Sequence, residues 1–209
     1  MKNVIVYGAG EFGSLISNVI SYHKDLNIVA YGDDDSEKIG QLIDQSPVFE
    51  IEDLLNFAKE NGIKHAISSI GNNKVRSEKY SLLKGKGFEM ISIVHPQALI
   101  DTKVTYGDNV IIEMGTAIHT KSIIGNNVFL GGDALIGHHN SIGNHVLVGG
   151  NVSFGGSVVV EDYVSIGVGA CIKPGVKLGE GSVIGVGAAV VKDVDPGDVV
   201  VGVPAKSIK

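Results

Sequence analysis

From residue 100 onward an apolar side chain recurs at every sixth position without interruption, from Ile100, Tyr106, Ile112 and Ile118 through to Ile184 and Val190. A period of six matches neither the 3.6-residue repeat of an α-helix nor the simple alternation of a half-buried strand. It fits a parallel β-helix whose triangular coil takes three hexads, so that residues 18 apart stack and the anchors fill a dry central column. Sixteen hexads make about five coils, a prism roughly 25 Å tall at the ~4.8 Å spacing of neighbouring strands. Ten anchors are followed by Gly, and the position four after each anchor is nearly always small or β-branched, as in Val110, Val128, Val146, Val158 and Ala170.

The first hundred residues follow another rule. Only 9 of the 29 glycines fall in residues 1–99, against 20 in residues 100–209, so two domains are expected, 1–97 and 98–209. Residues 3–7 form a short apolar run suited to a buried parallel strand, and Gly8-Ala-Gly-Glu-Phe-Gly13 follows at once. A helical pattern then begins at about Ser14, with Leu15, Ile16, Val19 and Ile20 on one side. Strand, Gly-x-Gly-x-x-Gly and helix in that order aim backbone N–H groups at a point where a phosphate can sit. A second strand, residues 27–31, ends at Gly32-Asp-Asp-Asp35, which puts Asp33 20 residues after Gly13. An acidic side chain at that spacing can accept hydrogen bonds from a ribose or base.

Residues 51–61 read as a helix, 65–70 as a third buried strand, and Gly71-Asn-Asn73 as the loop leaving its carboxyl end, where open α/β sheets bind ligands. A helix near residues 74–85 and a last strand around 90–94 complete the unit. Under a hundred residues hold one mononucleotide-binding half, which favours a nucleotide or nucleotide-sugar over a dinucleotide. The plainer alternative is that Gly10 and Gly13 merely allow tight helix-on-sheet packing and the Asp run is a solvated turn.

The chain carries a formal net charge of −6 and no basic runs, which argues against nucleic-acid binding. A single Cys171 excludes an intrachain disulfide and suits a reducing compartment. The apolar N-terminus is broken by glycines and Glu11 and lacks a small-residue cleavage site, so it reads as strand and turn rather than a signal peptide. No apolar run approaches the ~18 residues of a membrane span, and a cytoplasmic protein is expected.

The hexad repeat, closed by Val201-Gly-Val-Pro-Ala-Lys206, resembles the hexapeptide acyltransferase superfamily. With the nucleotide-binding unit in front, the whole chain resembles the sugar acetyltransferases of the bacillosamine-pathway N-acetyltransferase and sialic acid O-acetyltransferase type. The resemblance implies a Rossmann-like α/β domain followed by a left-handed β-helix, the handedness coming from the family alone. It further implies a homotrimer that binds acetyl-CoA in clefts between neighbouring β-helices, uses no metal, and acetylates a UDP- or dTDP-linked amino sugar for surface-glycan biosynthesis.

Carried over position by position, Ile136-Gly-His-His-Asn-Ser-Ile142 resembles the family segment holding the general base, and makes His138 that base. His139 stands where the family often places an acid that orients it. A second imidazole cannot stabilise an imidazolium as a carboxylate does, so Glu113 and Asp133 are candidates for an acid from elsewhere. The resemblance puts the CoA contacts at Leu147, where a family histidine is absent, and at Val168, Gly169 and Val186 through the backbone; Lys173, Lys192 and Lys206 are candidate partners for the CoA phosphates. It puts the nucleotide-sugar contacts at Gly10, Glu11, Phe12, Asp33, Asp34, Gly71 and Asn72. O-acetylation of a sugar such as sialic acid is the close alternative. More remote are a γ-carbonic-anhydrase-like zinc site drawn from His119, His138, His139 and His145, and a non-enzymatic nucleotide sensor on a trimeric stalk.

Overall fold

In the computed structural model, which describes residues 1–209, the N-terminal sheet is built around β1 (Lys2–Tyr7), whose Val4, Ile5 and Val6 are wholly buried. Burial on both faces explains why this strand reads as a continuous apolar run instead of an alternating one. After α1 (Glu11–Ser21), β2 (Leu26–Gly32) pairs parallel to β1 with Lys2 opposite Leu26. Helix α1 starts at Glu11, earlier than the apolar pattern suggests, because Gly10 serves as its N-cap and the first turn carries few core contacts.

A hairpin follows that the sequence does not announce: β3 (Leu42–Ile43) and β4 (Ser46–Phe49) pair antiparallel, and β4 then lies parallel to β2. Its two-residue turn is Asp44-Gln45, both at positive φ, +47° and +71°. That is the primed turn which usually announces itself by Asn-Gly, and Gln45 hides it. Helix α2 (Ile51–Glu60), β5 (His65–Ser68), α3 (Asn73–Gly85) and β6 (Glu89–Met90) complete the unit in the sheet order β3-β4-β2-β1-β5-β6. The stretch 90–94 is therefore not one strand. Met90 closes the sheet, whereas His95 already donates its N–H to Ile112 O at 2.8 Å in the C-terminal unit.

The chain divides into Met1–Ile93 and Val94–Lys209. In the second unit each coil contributes three two-residue strands, one to each of three parallel faces. Partners are 18 residues apart, as in Leu99, Ala117, Leu135, Ser153, Cys171 and Ala189 along one face. The anchors from Ile112 to Val190 are buried to 3% exposure or less, and the small residues four positions on pack between them. The first two expected anchors are exceptions: Ile100 is half-buried and Tyr106 44% exposed, because each belongs to the first strand of its face and no earlier coil covers it.

Corner geometry accounts for the polar residues of the repeat. From Tyr106 to Ile184 the third residue after each anchor takes the left-handed conformation, from Asn109 (φ +53°) through Asp133 and His139 to Tyr163 (φ +61°), or is Gly, as at Gly169 and Gly187. Asn, Asp and Gly tolerate that region best. The glycines that directly follow anchors serve a different purpose, close stacking of coils: a Cβ on Gly137 would lie 2.6 Å from Gly155 O. No helix of the chain is long and apolar enough to cross a membrane.

Candidate active site

Two recesses, one in each unit, hold the expected catalytic pair and most of the expected nucleotide-sugar contacts. In the N-terminal unit a cleft of ≈ 330 Å³ opens at the carboxyl ends of β1, β2 and β5. Gly10, Glu11, Phe12, Asp33, Asp34 and Gly71 all line it, together with Tyr7 and Lys38, which sequence reasoning missed. Asn72 does not line it. Its Oδ1 accepts the N–H groups of Lys74 and Val75 and so caps α3, which keeps the neighbouring Gly71 loop in place.

The two carboxylates after β2 have distinct tasks. Asp33 Oδ2 accepts the Ala9 N–H at 2.7 Å and the Lys38 ammonium at 3.3 Å, while Oδ1 accepts the Asp35 N–H. It thereby ties the glycine loop to the end of β2. Asp34 accepts the Tyr7 hydroxyl and Lys79 Nζ, which also lies 4.8 Å from the centre of the Tyr7 ring. Burial, the bond to Asp34 and the charges of Asp34 and Asp33 push the Tyr7 phenol well above its ordinary range. Burial alone would lower the Lys38 ammonium, but its bonds to Asp33 and Asp35 outweigh that and hold it protonated. Lys38 brings a fixed cation close to Gly10, where a Cβ would sit 3.7 Å from its Nζ, and α1 has no side-chain cap. A cation beside uncapped helix N–H groups is suited to an anion such as a phosphate. The signal available in the sequence was Lys38 following the Asp run at i,i+3 from Asp35.

In the β-helix an open groove of ≈ 780 Å³ runs beside one corner, lined by Leu99, Ala117, Asp101, His119, Thr120, His138 and His139. His138 Nδ1 lies 3.0 Å from His139 Nδ1, with the two rings edge to face at 86°. Both side chains are exposed to the groove. Their backbone is held above and below, since His139 N–H donates to Thr120 O and His138 O accepts the Ser157 N–H.

Other expected positions lie elsewhere on the coil. Glu113 and Asp133 sit on the corner before Ala117 and Leu135, not on that of His138. The Glu113 carboxylate is spent on the Gly132 N–H at 2.9 Å, and burial raises its pKa against that bond and the charge of His95. Neither acid meets His138 within the chain. Val168, Gly169 and Val186 occupy that same other corner, where Val168 and Val186 are 52% and 77% exposed and Gly187 N–H donates to Val168 O. Lys192 shares the His138 corner, three coils on, roughly 14 Å away at the strand spacing. Leu147 is half-buried on a third face, and Lys206 lies on the exposed terminal strand paired with Val201. His145 stands on yet another corner, its Nδ1 accepting from Asn127 Nδ2 at 2.8 Å and its ring stacked on Tyr163. The four histidines of the zinc alternative therefore do not converge.

The likeness of this α/β unit and hexapeptide β-helix to known proteins makes the chain an acyltransferase. Residues 3–83 match the family described as PglD N-terminal domain, and residues 157–192 match the hexapeptide repeat of succinyl-transferase. The chain is similar to the hexapeptide-repeat sugar acetyltransferases that carry such an N-terminal domain, and its fold is an α/β unit followed by a left-handed β-helix. Among solved structures it is similar to PerB from Caulobacter crescentus in complex with CoA and GDP-perosamine, with a TM-score of 0.93 and 25% identity over 100% of this chain and 98% of that one. WeeI from Acinetobacter baumannii gives 0.90 and 25% over the whole of both chains. The acetyltransferase domain of PglB from Neisseria gonorrhoeae, in complex with acetyl coenzyme A, shares the fold at 0.88 and 22% identity over 99% of each. No curated protein matches the chain by sequence.

Proposed function

We propose that this chain transfers an acetyl group from acetyl-CoA to the amine of a nucleotide-linked amino sugar, a 4-amino-4,6-dideoxy or trideoxy hexose on a UDP, dTDP or GDP carrier, and that it does so as a homotrimer. The observation that carries the reading is the bond between His138 Nδ1 and His139. It occupies Nδ1 of His138, a residue lining the open groove, and leaves Nε2 as the ring nitrogen that can accept a proton. A nucleotide-sized cleft in the preceding unit, with Lys38 beside the glycine loop, supports the substrate class, as does the GDP-perosamine bound to PerB.

In this mechanism the amine nitrogen attacks the thioester carbonyl, forming the C–N bond. His138 Nε2 takes the amine proton as the tetrahedral oxyanion develops. Collapse breaks the C–S bond, and the proton passes to the leaving CoA sulfur. Val168 and Val186 keep their N–H groups unbonded within the chain and serve the pantetheine arm, while Lys192 and Lys206 meet CoA phosphates. Leu147 supplies an apolar contact only. Gly10, Glu11, Phe12, Asp33, Asp34 and Gly71 serve the nucleotide-sugar, and Asn72 acts only through the cap that it gives α3. The test is thermal-shift screening against UDP-, dTDP- and GDP-linked amino sugars with CoA present. A matching ligand raises Tm by mass action, and the absence of any shift with all three carriers contradicts the reading.

A further inference from the structure

We infer that His139 is a positioning residue that works only when uncharged, so that acid shuts the enzyme down through one more proton than a base oriented by a carboxylate would require. The inference rests on His138 being the base. Two Nδ1 atoms 3.0 Å apart can share only one proton, so one imidazole donates and the other accepts. For His138 to take a proton at Nε2, its Nδ1 must carry hydrogen and donate, and His139 Nδ1 must accept. That fixes His139 in the tautomer with its proton on Nε2.

The local backbone enforces the pairing. His139 sits at φ +59°, the corner conformation that turns its side chain back beside its neighbour. The coil bonds to Thr120 O and from Ser157 N hold the two residues in register. When His138 becomes imidazolium, the bond persists and stabilises it through a neutral acceptor. When His139 itself binds a proton at Nδ1, two N–H groups face each other, and the bond that orients His138 is lost. The other ionisable groups around the pair are Asp101 and His119 in the groove and Lys121 one coil below His139. Asp101 is engaged with the Lys103 N–H, so no carboxylate substitutes for the missing acid.

The experiment is the pH dependence of kcat/KM for the wild type, His139→Asn and His139→Glu, with His138→Asn alongside. Asn suits a positive φ and presents an acceptor oxygen that does not titrate in this range, so it keeps the corner folded, as melting curves would verify. The expected result is an acid limb one proton steeper in the wild type than in His139→Asn, a difference independent of the substrate amine's own titration. His139→Glu is expected to keep turnover within a few-fold of wild type and to show the shallower limb. Equal slopes in wild type and His139→Asn would overturn the inference while leaving the base assignment intact. Near-normal turnover in His138→Asn would instead remove the base assignment itself, whatever the slopes.

Discussion

The imidazole of His138 rests against the α-carbon of Gly156 in the next coil: a Cβ added there would stand 2.4 Å from Cε1 and 2.6 Å from Nε2 of the ring. Gly156 does not have a positive φ, so its backbone accepts Ala without strain. The obstructing atoms are the end of a side chain that can swing away. Gly156→Ala is therefore expected to displace the ring without unfolding the coil. Turnover should fall by about 10²-fold, the order produced by ångström-scale misplacement of a catalytic group, with Tm within a few degrees of wild type. Steady-state kinetics and a melting curve check it, and unchanged kcat would show that the ring position is immaterial.

Gly13 faces a harder obstacle. A Cβ there would lie 2.1 Å from the carbonyl oxygen of Gly8, a backbone atom that cannot move without disturbing the loop between β1 and α1. Gly13→Ala should destabilise the N-terminal unit by about 1–3 kcal/mol or more and weaken nucleotide-sugar binding, while CoA binding persists. Calorimetric titration with each ligand separates the two effects.

Asp34 makes the cleft acid-resistant. Burial pushes its carboxyl upward, but the hydrogen bonds from Lys79 and Tyr7 and the charge of Lys79 outweigh this and hold it below the ordinary value. A carboxyl depressed in the folded state stabilises the fold above its unfolded value of about 4 and loses that contribution only as pH falls through the lower folded value. Lys79→Met should therefore move the onset of acid unfolding of this unit to higher pH. Tyrosine fluorescence reports it, since the chain has 6 Tyr and no Trp. An identical acid midpoint would contradict the assignment.

The β-helix owes part of its rigidity to ladders of side chains along its corners. Asn144 Oδ1 accepts the Asn126 N–H at 2.9 Å, and its own N–H donates to Asp162 Oδ1 at 2.7 Å. Asn144→Ala leaves a part-buried backbone donor without its partner and should cost about 1–2 kcal/mol. Phe154→Ala, in the packed interior at 3% exposure, should cost more, about 3–5 kcal/mol. Guanidinium midpoints order the two, and a larger loss for Asn144→Ala would reverse the account of what holds the coil.

The hexad period was legible because the coil repeats one geometry. Every anchor from Ile112 to Val190 meets the same apolar column, so the physics that selects one selects all. Tyr106 escaped because the end of a stack breaks that equivalence without changing the period. The β3–β4 hairpin was hidden since Asp44-Gln45 makes a turn by conformation rather than by its usual residues. In the cleft, the acidic run after β2 was visible. That Asp33 is committed to Ala9, and Asp34 to Tyr7 and Lys79, depends on contacts across 24 to 45 residues that no local pattern encodes. Likewise the spacing from Glu113 to His138 carries no information about corners until the coil register is known, and register places them on different edges.

The central claim is acetyl transfer to a nucleotide-linked amine by a base at His138. The most direct test follows CoA thiol release on mixing acetyl-CoA with UDP-, dTDP- and GDP-linked 4-amino sugars and their 4-hydroxy counterparts, using wild type and His138→Asn. The account predicts release with at least one amino sugar, little with its hydroxyl counterpart, and loss of most turnover in His138→Asn with ligand binding retained. Release with the hydroxyl sugars alone, or undiminished release by His138→Asn, would contradict it.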